Sequence, residues 1–261
     1  MGALRTLRRL VYSPRQPSIH QPVPLFLDFL APATLQLPVI RCYMTAPSAQ
    51  SKDNRTSSQT GPPNPTARPR YILTKKQRDY LDRALRVNQA GELAATLIYT
   101  AQTPPVVRAH PPLRPLMRHM YDQEVGHFST FNKLIAKHHI RPTAMYPIWE
   151  IAATFLGWST GMMGREAAMA CTEAVEMEIG SHYNEQVRKV LSWVADADKR
   201  GKEIDDEIKD LLTVLRKTRD EELEHLDHAV ENDAKEAQPY ELLVNIIRLG
   251  CKGAIKISEK I

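Results

Sequence analysis

The chain has 261 residues, with 35 Lys and Arg against 30 Asp and Glu. Residues 1–70 hold nine of those basic residues and two of the acids, which leaves 26 basic and 28 acidic residues for 71–261. The basic excess belongs to a leader, so whole-chain charge gives no argument for a nucleic-acid surface on the body.

The leader carries 11 of the 19 prolines. It is Arg-rich, contains Ser and is poor in acids, the composition of a mitochondrial transit peptide. Its 46–69 stretch of Ser, Gln, Asn, Pro and Gly reads as disordered. Pro24 and Asp28 interrupt the apolar run at 23–30, which excludes a secretory pattern. Arg41-Cys42-Tyr43 marks a cleavage neighbourhood. Cys42, Cys171 and Cys251 form no spaced pair and read as free thiols in a reducing compartment.

From Thr74 onward the pattern is helical. Thr74 caps a first helix that runs to about 103, where Pro104-Pro105 is expected to stop it. A proline-rich turn (Pro111, Pro112, Pro115) leads into a second helix, ending near 138. A third, mostly apolar stretch spans 148–193 with a kink expected near 157–164, followed by a polar loop at 195–203. A fourth helix is expected over 202–237, and Pro239 opens a last one. Period-2 alternation of β-branched residues is nearly absent, so the expectation is an all-α fold.

Chemistry-bearing residues recur along these helices. The order is Glu92, then Glu124-x-x-His127, then Glu176, then Glu222-x-x-His225. With about 3.6 residues per turn, a Glu and a His three apart share one side of a helix. Four helices that deliver Glu, Glu-x-x-His, Glu, Glu-x-x-His form the ligand set of a ferritin-like dinuclear carboxylate site. Carboxylates with one imidazole per metal suit Fe or Mn better than Zn or Cu(I). Four carboxylates also balance two divalent cations, which favours burial of the cluster.

The third carboxylate is ambiguous by spacing. Glu166, Glu173, Glu176 and Glu178 share that helix, and Glu178 lies about 200° around from Glu176. Glu173 shares the face of Glu176 and is the true rival. An internal echo favours Glu176: Tyr99 follows Glu92 by seven residues, as Tyr183 follows Glu176. Asp122-Gln123-Glu124 and Asp220-Glu221-Glu222 precede the two histidines alike. Candidate supporting groups are His182 and Tyr183 beside a ligand, with Asp122 and Asp220 orienting the imidazoles. His119, His138, His139 and His228 read as surface or helix-end residues. Gly91 inside a helix costs about 1 kcal/mol against Ala, which points to close approach of a helix or substrate.

Two stretches suggest a membrane face. Arg248, Lys252, Lys256 and Lys260 form an i, i+4 stripe, with Leu243, Ile246, Ile247, Ala254 and Ile257 largely off it. Residues 148–163 are apolar, with Trp149 and Trp158 suited to an interface, but too short and polar to span.

The segments Arg86-Val87-Asn88-Gln89-Ala90-Gly91-Glu92, Asp122-Gln123-Glu124…His127, Glu166-Ala167-Ala168-Met169-Ala170-Cys171-Thr172, Val175-Glu176…His182-Tyr183-Asn184 and Arg219-Asp220-Glu221-Glu222-Leu223-Glu224-His225 are collinear with a known pattern. They resemble the demethoxyubiquinone hydroxylase family of ubiquinone biosynthesis, over about residues 74–261. The resemblance implies a ferritin-like four-helix bundle with an added membrane-facing helical element. It implies a peripheral mono-oxygenase on the matrix side of the mitochondrial inner membrane, which uses two Fe ions and O₂ to convert a polyprenyl demethoxyubiquinone to demethyl-ubiquinone. By position, it places the iron ligands on Glu92, Glu124, His127, Glu176, Glu222 and His225. It also implies assembly with other ubiquinone-biosynthesis proteins, including a lipid-binding helical partner, and allows a homo-oligomer. Two departures, Ala94-Ala95 and a longer 192–205 connection, touch no ligand. No dinucleotide fingerprint is present, so electrons from NADH would arrive through the quinone or a partner. The alternatives are a ferritin-like scaffold or iron-binding subunit, and a membrane di-iron quinol oxidase.

Overall fold

A computed structural model describes residues 68–261. The transit-peptide and disorder expectations therefore lie outside the described residues, apart from 68–70. Six α-helices follow in order: α1 Lys75–Ala109, α2 Arg114–Lys137, α3 Tyr146–Met163, α4 Arg165–Lys199, α5 Asp206–Glu231 and α6 Tyr240–Ser258. Among the described residues the only β-pairing is an isolated bridge between Arg70 and Glu203.

Local chemistry sets most boundaries. Thr74 caps α1 through a reciprocal box with Gln77, each side chain taking the other's backbone N–H. Asp205 caps α5 by accepting from the Glu207 N–H at 3.0 Å. That start is later than the expected 202, because Glu203 is occupied elsewhere. Its N–H donates to Pro69 and its carbonyl accepts from Tyr71.

Two other expectations need correction. Pro104 and Pro105 do not end α1, which continues to Ala109. Packing overrides the propensity here: α3 lies across this stretch, with Gly161 against Pro105 and Gln102. The stretch expected as one kinked helix is two helices, broken at Gly164. Its φ of 117° and ψ of 177° suit only a residue without a side chain.

Gly157 and Gly161 set how close α3 comes to α1. A Cβ on Gly157 would collide with the Ile98 carbonyl oxygen and stand 2.8 Å from the Ile98 Cα. One on Gly161 would lie 3.0 Å from the Gln102 Cα. Backbone meets backbone at both places, and a buried Gln102 Nε2 to Thr160 Oγ1 bond of 2.9 Å stitches the contact.

The bundle proper is α1, α2, α4 and α5. α1 packs closely on α2, and α4 on α5, while the backbones stay further apart across the two pairs. Two apolar clusters fill its ends. One holds Ile98, Tyr99, Met117, Met120, Met169, Val175 and Ala229. The other holds Leu85, Phe131, Ile135, Tyr183, Val190, Leu211 and Leu215. Burying each such large side chain contributes about 1.5–3 kcal/mol. Along α1 and α5 the chain passes from the second cluster to the first; along α2 and α4 it passes the other way. Neighbouring helices are therefore antiparallel, and the candidate ligands fall between the two clusters on all four.

α6 lies against α4, with Val244 and Ile247 buried. Its basic stripe is not wholly a solvent or lipid face. Arg248 Nε reaches Glu178 at 2.6 Å and Lys252 Nζ reaches the same oxygen at 3.5 Å, so half of the stripe anchors the helix to α4. Lys256 and Lys260 remain exposed. No helix among the described residues is long and apolar enough to cross a membrane.

Candidate metal centre

Six side chains meet in the layer between the apolar clusters, none more than 6% exposed: Glu92, Glu124, His127, Glu176, Glu222 and His225. Their ligand atoms fall into two overlapping sets. Glu92, Glu124, His127 and Glu222 form one, and Glu124, Glu176, Glu222 and His225 form the other. Glu124 and Glu222 belong to both, so each can bridge. His127 Nδ1 lies 3.4 Å from Glu92 and 3.2 Å from Glu222. His225 Nδ1 lies 3.0 Å from Glu124 and 3.3 Å from Glu222.

Glu173 is not part of this cluster. Its carboxylate pairs with Lys235 and accepts from the Tyr240 hydroxyl at 3.0 Å. The exposed group of His119, Glu224 and His228 shares no residue with the buried cluster.

The flanking groups are arranged as a cross. Tyr99 donates to Glu176 at 3.1 Å, and Tyr183 donates to Glu92. Each tyrosine thus serves the carboxylate of the opposite half rather than that of its own helix. The imidazoles follow the same rule. His127 Nε2 lies 2.8 Å from the Glu221 carboxylate, and His225 Nε2 lies 3.0 Å from the Gln123 amide oxygen. These contacts hold both rings with Nδ1 turned inward.

The expected roles of Asp122 and Asp220 are not met. Both are exposed and pair with Arg118 and Arg219. Helix geometry explains the error: the residue directly before each motif Glu faces the partner helix, and the one before that faces outward. Gln123, Glu221 and Tyr99 are the residues sequence reasoning passed over. The echo contained them, as the variable middle position of Asp-x-Glu and as the tyrosine seven residues on.

His182 is also placed differently from expectation. It makes no bond to a candidate ligand, and its buried Nε2 has no hydrogen-bond partner. The ring instead lines a cavity of about 370 Å³. This cavity runs among α1, α3, α4 and α6, from buried Glu92 and Tyr183 at one end to exposed Ala152 and Ile246 at the other. Its wall is almost wholly apolar, including Ile98, Leu156, Val175 and Ile179. Gly91 faces it, and a Cβ there would meet nothing within 4 Å. Of the two approaches expected at Gly91, that of a neighbouring helix is not found, and the residue faces the cavity instead.

The electrostatics of the cluster suit it to cations. Burial pushes the Glu92, Glu124 and Glu176 carboxyls up, and the Glu222 charge adds to the effect. Burial also opposes ionisation of Glu222, but the His127 and His225 imidazoles, 3.2 and 3.3 Å away, outweigh it and hold this group at about 2. Against the same burial, Glu222 and Glu92 push His127 up to about 12. Eight buried ligand-type atoms have no hydrogen-bond partner: Glu92 Oε2, both oxygens of Glu124 and of Glu222, Glu176 Oε2, and Nδ1 of His127 and His225. Buried polar groups are rarely left unpaired. Eight converging on one point, from oxygen and imidazole donors, fit two hard divalent cations.

Comparison with known proteins agrees with this geometry. The family described as ubiquinone biosynthesis protein COQ7 matches residues 79–258, which include all four ligand-bearing stretches. The mitochondrial 5-demethoxyubiquinone hydroxylase of Saccharomyces cerevisiae is 41% identical over 190 residues, 72% of this chain and 82% of its own. The mitochondrial NADPH-dependent 3-demethoxyubiquinone 3-hydroxylase of Homo sapiens is 39% identical over 189 residues, with the same shares covered. The 3-demethoxyubiquinol 3-hydroxylase of Rhodospirillum rubrum is 39% identical over 181 residues, 69% of this chain and 78% of its own. A match over most of the chain, at this identity and with its Glu and His pattern at one buried point, makes the chain a member of the COQ7 family of ubiquinone biosynthesis proteins.

Proposed function

We propose that this chain is an O₂-dependent hydroxylase of the demethoxyubiquinone ring in ubiquinone biosynthesis. The observation that carries the reading is the convergence of eight unpaired ligand atoms in one buried cluster, of which one ligand, Glu92, also lines an apolar cavity. Two iron ions, held by Glu92, Glu124, His127, Glu176, Glu222 and His225, would supply the activation of O₂ when bound. The net reaction places one oxygen atom on a ring carbon as hydroxyl and releases the other as water, with two electrons from a reduced nicotinamide. The human and mouse relatives are named NADPH-dependent, whereas the donor expected for this chain is NADH, acting directly or indirectly.

The chain's own residues bind and orient the ring. The cavity wall excludes water from the polyprenyl tail and from the reacting carbon. At its inner end, His182 is held neutral by burial, with its pKa lowered to about 4. Its unpaired Nε2 is positioned to hydrogen-bond a ring oxygen. Tyr183, bonded to Glu92, forms the wall where the ring meets the ligands.

The outer end of the cavity supports a site of action on a membrane. Exposed Ile148, Ile151, Phe155, Trp158 and Met162 form a stripe on α3, and Leu242, Ile246 and Leu249 are exposed on α6. We place the protein in the mitochondrion, peripheral on the matrix face of the inner membrane, where a lipid substrate enters between these helices. Other ubiquinone-biosynthesis proteins, including a lipid-binding helical one, and a second copy of the chain are the partners proposed for the same faces.

Glu222→Ala removes a carboxylate common to both ligand sets and tests the reading. Cells carrying only this variant are expected to accumulate the demethoxy quinone, measured by mass spectrometry, while the purified protein keeps its far-ultraviolet helical signal. Continued ring hydroxylation would overturn the assignment and favour a scaffold role.

A further inference from the structure

The cross of flanking residues breaks its own symmetry at one point. Glu92 matches Glu176, Glu124 matches Glu222, His127 matches His225 and Tyr183 matches Tyr99. The groups behind the two imidazoles do not match. His127 is backed by a carboxylate, Glu221 Oε2 at 2.8 Å, and His225 by an amide, Gln123 Oε1 at 3.0 Å. A second, independent difference runs the same way. The cavity touches Glu92 and Tyr183, on the His127 side, and has neither Glu176 nor Tyr99 in its wall.

We propose that the two metal subsites are unequal, and that Glu221 makes the subsite of Glu92 and His127, which faces the cavity, the tighter one. The inference rests on the metal-centre reading above and adds the identity of the stronger half. A carboxylate that accepts from Nε2–H leaves more electron density on Nδ1 than a neutral amide does, and so strengthens Nδ1 as a ligand. The charged hydrogen bond is also about twice as strong as a neutral one, which holds the ring more firmly. Glu221 is partly exposed, and Lys217 approaches its other oxygen, Oε1, at 3.6 Å. That leaves Oε2 for the imidazole. Loss of such a supporting group typically costs about 10–100-fold in metal affinity.

Glu221 and Gln123 act through the histidines and are positioning residues. Their substitutions conserve shape, so the fold should survive, with far-ultraviolet circular dichroism as the check. Purified ion-free protein is titrated with Mn(II), and bound ions are counted by electron paramagnetic resonance. Two binding steps are expected for the unaltered protein. Glu221→Gln should weaken the first step by about 10–100-fold and leave the second within a few-fold. Gln123→Glu should strengthen the second step alone. The double exchange, Gln123→Glu with Glu221→Gln, should restore two separated steps, which a merely structural role for Glu221 would not do. Equal shifts of both steps in Glu221→Gln, or no shift, would overturn the inference while leaving the metal centre in place. Failure of the unaltered protein to bind Mn(II) at all would remove the metal-centre reading and this inference with it.

Discussion

The inner bundle and the outer pair of helices invert the usual rule of burial in opposite ways. Between α1, α2, α4 and α5, four carboxylates and two imidazoles are almost fully buried. On α3 and α6, Ile151 is 73% exposed and Leu249 is 72% exposed. Charged groups are seldom buried without partners, and single exposed apolar residues need no explanation, but a stripe of them does. Each inversion is matched by a proposed counterpart: cations inside and an apolar surface outside. The cavity joins the two places, with one end at Glu92 and the other at Ile246.

The largest effect expected from breaking this contrast comes from the inside, on adding or withholding metal. Folded Glu92, Glu124 and Glu176 have raised pKa values, so above the unfolded value of about 4.3 the folded chain holds more protons than the unfolded one. Their contribution to stability is full below that value and declines as pH rises. His127, up to about 12, declines in the same sense above its unfolded value of about 6.5. Glu222, at about 2, contributes stability that is lost only as pH falls from about 4.3 toward 2. His182, near 4, likewise loses its contribution only as pH falls below about 6.5. Between pH 6.5 and 8 the ion-free protein should therefore weaken. Bound metal displaces those protons, so its benefit should grow. The rise in Tm on adding Mn(II), followed by circular dichroism, is expected to be larger at pH 8 than at pH 6.5; an equal or smaller rise at pH 8 would contradict the proton count.

A smaller effect is expected where the two regions are joined, at Gly157. In a helix, Gly→Ala ordinarily stabilises by about 1 kcal/mol. Here the added Cβ would meet the Ile98 backbone, which cannot move aside as a side chain can. Forced overpacking costs about 1–3 kcal/mol, so Gly157→Ala should destabilise, and the sign alone decides between propensity and packing. A lowered Tm with Mn(II) binding retained is the expected result; a raised Tm would mean that α3 is not held against α1 as described.

Gly157 also shows what the sequence could and could not convey. The helical class, the cap at Thr74, the helix start at Pro239 and the ligand pattern depend on local spacing, and spacing is visible in a string of letters. Partner choice across helices is not. Spacing allowed Glu173 as readily as Glu176, and only the placement of Lys235 and Tyr240 shows where Glu173 is spent. Asp122 and Asp220 looked like orienting groups because they repeat. Yet the residues beside them, Gln123 and Glu221, reach the opposite helix. The prolines at 104 and 105 misled for the same reason, since the force that keeps α1 intact there comes from α3.

The smallest effect on the fold should come from the outer face. Ile151, Phe155 and Leu249 project outward from the bundle. Replacing all three with Ser should change stability by no more than about 0.5 kcal/mol per site. If these residues rest on a lipid surface, the same change removes the buried apolar area that drives attachment, at about 25 cal/mol per Å². Co-sedimentation with vesicles of anionic and neutral phospholipids should then fall by about tenfold or more, since about 1.4 kcal/mol corresponds to tenfold. Lys256 and Lys260, also exposed on α6, offer a control on the source of that affinity. Neutralising them should weaken binding mainly at low salt, because an exposed charge near an anionic surface is worth about 1 kcal/mol and is screened. An apolar triple variant that still binds vesicles fully, while the lysine variant loses binding, would make charge rather than the exposed stripe the basis of attachment. The route into the cavity between α3 and α6 would then need another explanation for its apolar rim.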